Sequence, residues 1–273
     1  MTDKNDMAYW YPLVKSLVPT PKTKIIHTDV NLIQLLDGRM PEGYDLFIKS
    51  LTHAIKKLGG CPVFLRTGHT SGKHEWEKTC YLKSEKDIPP HVASLVNYSD
   101  LVNYYSECAG IIGLPYQTWA VRELLPTKPV FHAFKGMPIT QEFRFFVEDG
   151  NVVHKQPYWP PESFEICFYN IPDIDNLPPN WMDGKNDYSI KLTEELIAGL
   201  PPKNWRELLS DISQLDTADD LTLGSFSKMI GEKVGGYWSI DWLNTEKGWY
   251  MIDMALGAES YKWDGGLTTK KEM

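Results

Sequence analysis

Apolar and polar positions along this chain alternate between helical and strand spacing, which predicts helices mixed with antiparallel hairpins. The clearest helix is "GYDLFIKSLTHAIKKLGG", where Leu46, Ile48, Leu51, Ala54, Ile55 and Leu58 recur at helical spacing and Gly59–Gly60 end the run. Other helical patterns follow Pro89 as far as Cys108 and occupy roughly 191–200, 204–214 and 224–235. "KIIHTDVNLIQLL" offers a short strand and then an ambiguous apolar stretch. "CPVFLRT", "HEWEKTCYL" and "WAVRELL" read as strands, the first two joined by the small polar loop "GHTSGK". Residues 1–24 are polar and punctuated by proline, and read as an arm. Residues 157–190 are too long for a simple turn, which suggests a flap or insertion facing a substrate. The mixture predicts an α+β architecture.

Two stretches predict hairpins that carry charge. In "YWSIDWLNTEKGWYMIDMA", setting Leu243 opposite Trp249 across "NTEKG" places Ser239, Asp241, Leu243, Trp249, Met251 and Asp253 on one face. The other face is then Trp238, Ile240, Trp242, Tyr250, Ile252 and Met254, wholly apolar and suited to packing. Asp241 and Asp253 become diagonal neighbours, roughly 6–8 Å apart. Carboxylates that close repel unless one is protonated or a cation lies between them, and Mg²⁺ is the natural hard cation for oxygen ligands. The plain alternative is two aspartates facing solvent. In "EFRFFVEDGNVVHKQ", Asp149–Gly150 form a two-residue turn, and Glu148 opposite Asn151 brings Arg144 opposite Lys155. Like charges face to face suggest a shared phosphate or carboxylate, or else a solvated basic face braced by Glu142. His154 falls on the opposite face and reads as structural.

The loop "GHTSGK" adds Gly68, Gly72 and Lys73 beside Arg66, a composition that lets backbone N–H groups approach phosphate. It falls short of a P-loop: only three residues separate the glycines, and His74 follows Lys73 where Ser or Thr is required. His69 and His74 lie in or beside this flap, where they could approach a substrate.

Composition narrows the reading. The chain has 273 residues, 42% hydrophobic and 23% charged, which suits a soluble protein with one large or two modest domains. A net charge of −8 disfavours a broad nucleic-acid surface. Four scattered cysteines without a CxxC pair read as free thiols of a reducing cytoplasm. No apolar run reaches membrane-spanning length, and the N-terminus lacks a signal-peptide pattern.

With "PVFLRTGHTSGK", "WAVRELLP", "EFRFFVEDGNVV" and "YWSIDWLNTEKGWYMIDMA" in this order, the chain resembles the ATP-grasp superfamily over about residues 60–262. The likeness is nearest to small phage and bacterial members, and fainter to eukaryotic cell-division-cycle assembly factors that share the fold. The resemblance implies two α+β subdomains gripping ATP between antiparallel sheets. Residues 1–60 would form a substrate-side region, 61–125 the first subdomain with its flap, and 126–273 the second, with the 157–190 insertion and the metal-binding hairpin. It implies phosphate contacts by Arg66, Lys73 and Arg144, with Lys73 and Arg144 catalytic. Arg122 and Glu123 precede the hinge, and the backbone of Leu124 and Leu125 meets the adenine edge. Lys155 would bind the acceptor carboxylate, and Asp241 and Asp253 would be the Mg²⁺ ligands. Ala255 departs from the family's asparagine at that place, with Glu259 or Ser239 as possible substitutes.

The activity so implied is an ATP- and Mg²⁺-dependent ligase that activates a small-molecule or peptide carboxylate as an acyl phosphate for an amine or thiol. Two rivals stay open: a non-catalytic ATP-binding assembly factor, and an ATP-dependent enzyme acting on nucleic-acid ends.

Overall fold

The computed structural model describes residues 3–108, 116–165 and 201–263, with the side chains of 105–108 left aside. The order of elements begins with a helix, α1 (Met7–Val14), where an arm was expected. Its apolar residues Met7, Trp10, Tyr11 and Val14 lie one helical face apart, and all four are buried. Asp6 caps it by accepting the Ala8 N–H at 2.8 Å. Pro12 lies in the second turn, where it lacks the N–H that would bond the Ala8 carbonyl.

The first sheet has the order β1 (Thr23–His27), β4 (Thr118–Glu123), β2 (Val63–Thr67), β3 (Tyr81–Leu82), all antiparallel. Helices α2 (Tyr44–Lys57) and α3 (Ile88–Cys108) share a core with it that includes Phe47, Leu51, Ile55, Leu65, Val92, Trp119 and Val121. In α2 the inward residue is Phe47, whereas Leu46 is 68% exposed. The strand expected over "HEWEKTCYL" is a 3-10 turn at Lys73–Glu75 followed by the two-residue β3. Gly72, with φ +59°, starts that turn. The ambiguous stretch after β1 is likewise a 3-10 helix, Leu32–Asp37.

A small hairpin, β5 (Phe131–Ala133) with β6 (Met137–Ile139), packs with Trp76, Trp159, Phe164 and helix α4 (Trp205–Ile212). The second four-stranded sheet has the order β10 (Gly248–Leu256), β9 (Tyr237–Thr245), β7 (Glu142–Glu148), β8 (Asn151–Pro157). Helix α5 (Thr217–Val234), longer than the 224–235 pattern suggested, covers its apolar face with α1. Gly231 of α5 is required by contact: a Cβ there would meet Val147 at 2.4 Å and the Gly150 backbone at 2.9 Å. That contact seats the expected Asp149–Gly150 turn on the helix.

The expected positions 166–190 of the insertion, and the helical pattern at 191–200, lie outside the described residues. Among the described residues, no helix is long and apolar enough to cross a membrane. Cys61 and Cys80 are free thiols.

Candidate functional site

Charge on the second sheet is concentrated in one row. Gln156, Arg144, Asp241 and Asp253 stand side by side on β8, β7, β9 and β10. Strand alternation puts Glu142 and Arg144 on this face, while Phe143, Phe145 and Val147 point into the core.

The register differs from the expected one in both hairpins, through a β-bulge in each and, in the β9–β10 pair, a shorter turn as well. The turn of the β9–β10 hairpin is only Glu246–Lys247, since Thr245 pairs with Gly248. Carried along unchanged, that register would place Asp253 opposite Ile240, on the apolar face. Ile252 is an extra residue on β10, so pairing moves from Met251–Trp242 to Asp253–Asp241. The aspartates are therefore direct cross-strand neighbours, not diagonal ones. The apolar face becomes Trp238, Ile240, Trp242, Trp249, Met251 and Met254, all core residues. Tyr250 and Ile252, expected there, are only half-buried, and Ile252 borders the cavity described below.

In the other hairpin Val153 is the extra residue, between the Val147–Val152 and Phe146–His154 pairs. Arg144 consequently faces Gln156, and Lys155 faces Phe145 on the helix side. Lys155 Nζ bonds Asp220 of α5 at 2.5 Å, so its expected place at the site is corrected. His154 moves to Arg144's face, with Nε2 3.2 Å from Gln156 Oε1.

Each aspartate of the row has an arginine. Arg144 donates through Nε to Asp241 Oδ1 at 2.7 Å and through Nη2 to Oδ2 at 2.8 Å, a two-pronged pair within one sheet. Burial works against the Arg144 charge, but Asp241 outweighs it and holds the guanidinium pKa up. Arg66, on β2 of the first sheet, reaches across to Asp253 Oδ2 with Nη1 at 2.7 Å. Beside it on β4, Arg122 donates Nε to Thr23 Oγ1 at 3.2 Å and Nη1 to the bulge carbonyl of Ile252 at 2.5 Å. Its Nη2 is buried and has no partner. Burial and then Arg66 push the Arg122 pKa down to about 10, the mark of a desolvated cation beside another cation.

Lys73 approaches from the turn after β2. Its ammonium lies 3.7 Å from the Tyr158 ring centre and 4.5 Å from that of Trp159, and 3.7 Å from Glu142 Oε2. Burial opposes the charge, but Tyr158, Glu142 and Asp241 outweigh it and raise its pKa. Burial pushes the Glu142 carboxyl up and Lys73 pulls it back; Trp159 Nε1 donates to Glu142 Oε1 at 3.2 Å.

These side chains surround a cavity of about 160 Å³ between the two sheets. Arg66, Lys73, Arg122, Glu123, Leu124, Leu125, Asp241 and Asp253 border it. Apolar walls come from Phe64, Trp76, Met137, Leu243 and Ile252. No protein-family model and no curated protein matches the chain. Among solved structures, C-terminally truncated Cdc123 from Schizosaccharomyces pombe aligns over 94% of this chain and 86% of its own, at 17% identity and TM-score 0.50. Cdc123 from the same organism aligns over the same shares at 14% identity and TM-score 0.50. A RimK domain protein ATP-grasp from Sphaerobacter thermophilus aligns over 93% of this chain and 59% of its own, at 9% identity and TM-score 0.42. In fold the chain is similar to these Cdc123 structures.

The expected site residues converge with few exceptions. Arg66, Lys73, Arg122, Glu123, Leu124, Leu125, Asp241 and Asp253 meet at the one cavity, and Arg144 stands behind Asp241. Glu123 directs its carboxylate to the Lys22 N–H at 2.8 Å. The histidines stand off: His69 Nε2 is 2.7 Å from Asp3, and His74 stacks on Phe134 with centres 4.5 Å apart. The flap loop is also tied down, since Gly68 O accepts the Met7 N–H and a Cβ at Gly68 would meet Asp6 at 2.4 Å. Neither substitute considered for the missing asparagine is free: Glu259 accepts from Asn5 Nδ2, and Ser239 Oγ is 2.6 Å from Ser260 Oγ.

Glu142, read from sequence only as a brace, is a cavity wall residue, as are Tyr158 and Thr140. The signal for Glu142 was available, because it lies two residues from Arg144 and so on the same strand face. Thr140 and Tyr158 follow no pattern that marks them.

The residues present suit a polyphosphate: three cations line the cavity, and Arg122 presents a buried N–H without an acceptor. An apolar end between Leu124, Leu125 and Met137 suits a planar base. For Mg²⁺ the donor chemistry is right, since Asp241 and Asp253 are adjacent carboxylates, but both are engaged by arginine. Among the described residues, no cluster of three or more His, Cys, Asp or Glu could hold a metal ion.

Proposed function

We propose that this protein is an ATP- and Mg²⁺-dependent ligase, which activates a carboxylate as an acyl phosphate and passes the acyl group to an amine or thiol. The observation that carries this reading is one cavity lined by the cations Arg66, Lys73 and Arg122 together with the adjacent Asp241 and Asp253, with Arg122 Nη2 buried and unpartnered. A desolvated cation with an unpaired donor favours an anion, and the resemblance of the sequence to ATP-grasp proteins makes a nucleotide the fitting one.

ATP would supply the transferable phosphoryl group, and Mg²⁺, held by Asp241 and Asp253, would neutralise phosphate charge. Arg122 and Arg66 bind and orient the phosphates from the first sheet. Lys73 carries its charge into the same space and offsets negative charge that grows during transfer. Arg144 holds Asp241 at both oxygens and fixes its orientation beside the cavity. Leu124 and Leu125 offer backbone groups to the base edge, and Phe64 and Met137 exclude water from it. Phosphoryl transfer relies mainly on positioning and electrostatics, which suits a site of cations without a nucleophile of its own.

The test is single-turnover ADP formation with a mixture of carboxylate and amine acceptors, alongside thermal shifts with ATP plus Mg²⁺ and with ATP plus chelator. Acceptor-dependent ADP is expected. A second reading, an ATP-binding assembly factor without turnover, draws on the likeness to Cdc123 and on the arginines that occupy both aspartates. It is separated from the first by a nucleotide-dependent thermal shift with no ADP under any acceptor mixture.

A further inference from the structure

Residues 260–263 cross the charged face of the second sheet and end against its edge strand, β8. Ser260 pins the segment at its start: its Oγ lies 2.6 Å from Ser239 Oγ on β9 and donates to the Leu256 carbonyl at 3.1 Å. Beyond this pin the sheet takes hold of the main chain. Gln156 Nε2 donates to the Tyr261 carbonyl at 3.2 Å, and Gln156 Oε1 accepts the Trp263 N–H at 3.2 Å. Arg144, the cross-strand neighbour of Gln156, adds Nη1 to the same Tyr261 carbonyl at 3.3 Å. Trp263 contributes a side-chain bond as well, from Nε1 to the Pro157 carbonyl at 3.2 Å.

The carbonyl of one residue and the N–H of the next but one are the groups that a strand residue bonds in a parallel ladder. The Gln156 amide makes the same two bonds, so it treats the segment as a strand and reads groups that every peptide backbone carries. This amide is 1% exposed, and His154 Nε2, 3.2 Å from the same Oε1, helps to fix its orientation. The side chains between the two bonds add little. Tyr261 is 61% exposed, and Lys262 is exposed with its ammonium 5.8 Å from the Phe146 ring centre. Neither residue ties this stretch of sequence, rather than another, to its place. The place itself adjoins the site, because Arg144 also grips Asp241, a residue of the cavity wall.

We infer that Gln156 and Arg144 form a docking site for an extended peptide beside the cavity, and that the chain's own residues 261–263 fill it in the free protein. The site selects backbone groups two residues apart and tolerates change in the side chains between them. Because the resident segment is tethered, a peptide from solution competes at a disadvantage until that segment is loosened. On the ligase reading the docked peptide supplies the carboxylate or the amine; its role, though not its binding, rests on that reading.

The test uses the full chain and a fluorescein-labelled peptide of residues 260–265, SYKWDG, followed by fluorescence anisotropy. Trp263→Ala, which removes the indole bond to Pro157 from the resident segment, is expected to bind the peptide about tenfold more tightly than the parent. Adding Gln156→Met should abolish that gain. Changing the tyrosine and lysine of the peptide to alanine should alter its affinity by less than about threefold, whereas methylating its tryptophan main-chain nitrogen should weaken it at least about tenfold. Equal binding by parent and Trp263→Ala, a gain that survives Gln156→Met, or indifference to the N-methyl group overturns the inference. If Trp263→Ala shows no cooperative melt, the parent decides, and equal affinity for the methylated and unmethylated peptides refutes the site. Peptide binding as expected, with no acceptor-dependent ADP, overturns only the ligase reading.

Discussion

The two arginine–aspartate pairs lie in one row yet belong to different kinds of structure. Arg144 and Asp241 are cross-strand neighbours on β7 and β9, fixed by the ladder that carries them, and both are largely buried. Arg66 and Asp253 come from separate sheets and meet only because the sheets approach, with Asp253 a third exposed. A pair inside a ladder is set by register and has little freedom to change partner. A pair between sheets depends on how closely the sheets approach. The same chemistry is thus fixed by register in one position and by tertiary packing in the next.

That comparison can be broken in three places. Asp241→Ala should have the largest effect: it strands the Arg144 guanidinium inside its own sheet and should cost about 3 kcal/mol in urea denaturation. A loss under about 1 kcal/mol would mean that the ladder pair is no more structural than a surface one.

Asp253→Ala should be milder, roughly 1–2 kcal/mol, because Arg66 keeps its Thr67 contact and gains access to the cavity. If it proves as costly as Asp241→Ala, the distinction between the pairs disappears. The smallest effect belongs to Lys155→Met. Its partner Asp220 lies on the helix side, so stability should fall by less than about 1 kcal/mol and any ATP-induced thermal shift should be unchanged. A reduced shift would return Lys155 to the site.

The last case shows where sequence reading stops. Alternation in "EFRFFV" and "YWSIDW" correctly sorted Arg144 and Asp241 from the aromatics behind them. β8 was misread from Val153 onward, and β10 from its turn as far as Ile252. A bulge changes which neighbours face which, and an ordinary valine or isoleucine at the bulge gives no compositional sign of it. Asp253 reached the expected face through two departures that cancel, a shorter turn and an extra residue. Lys155 had only the bulge, and moved to the wrong side. Helix α1 was legible in principle, since Met7, Trp10, Tyr11 and Val14 have helical spacing. The prolines nearby masked it, although one of them sits within the helix itself. The partners of Arg66 and Arg122 were beyond reach, because they depend on how two sheets separated by long stretches of chain come together.

Helix α1 also bears on how the molecule assembles. Its buried residues belong to the core of the second sheet, yet its first N–H is bound by Gly68 and its leading Asp3 by His69, both in the loop that leaves the first sheet. Neither sheet can complete its surroundings without the other being present to hold this helix. The two halves should therefore melt in one cooperative step, and a chain cut between them should yield fragments that fold only when mixed.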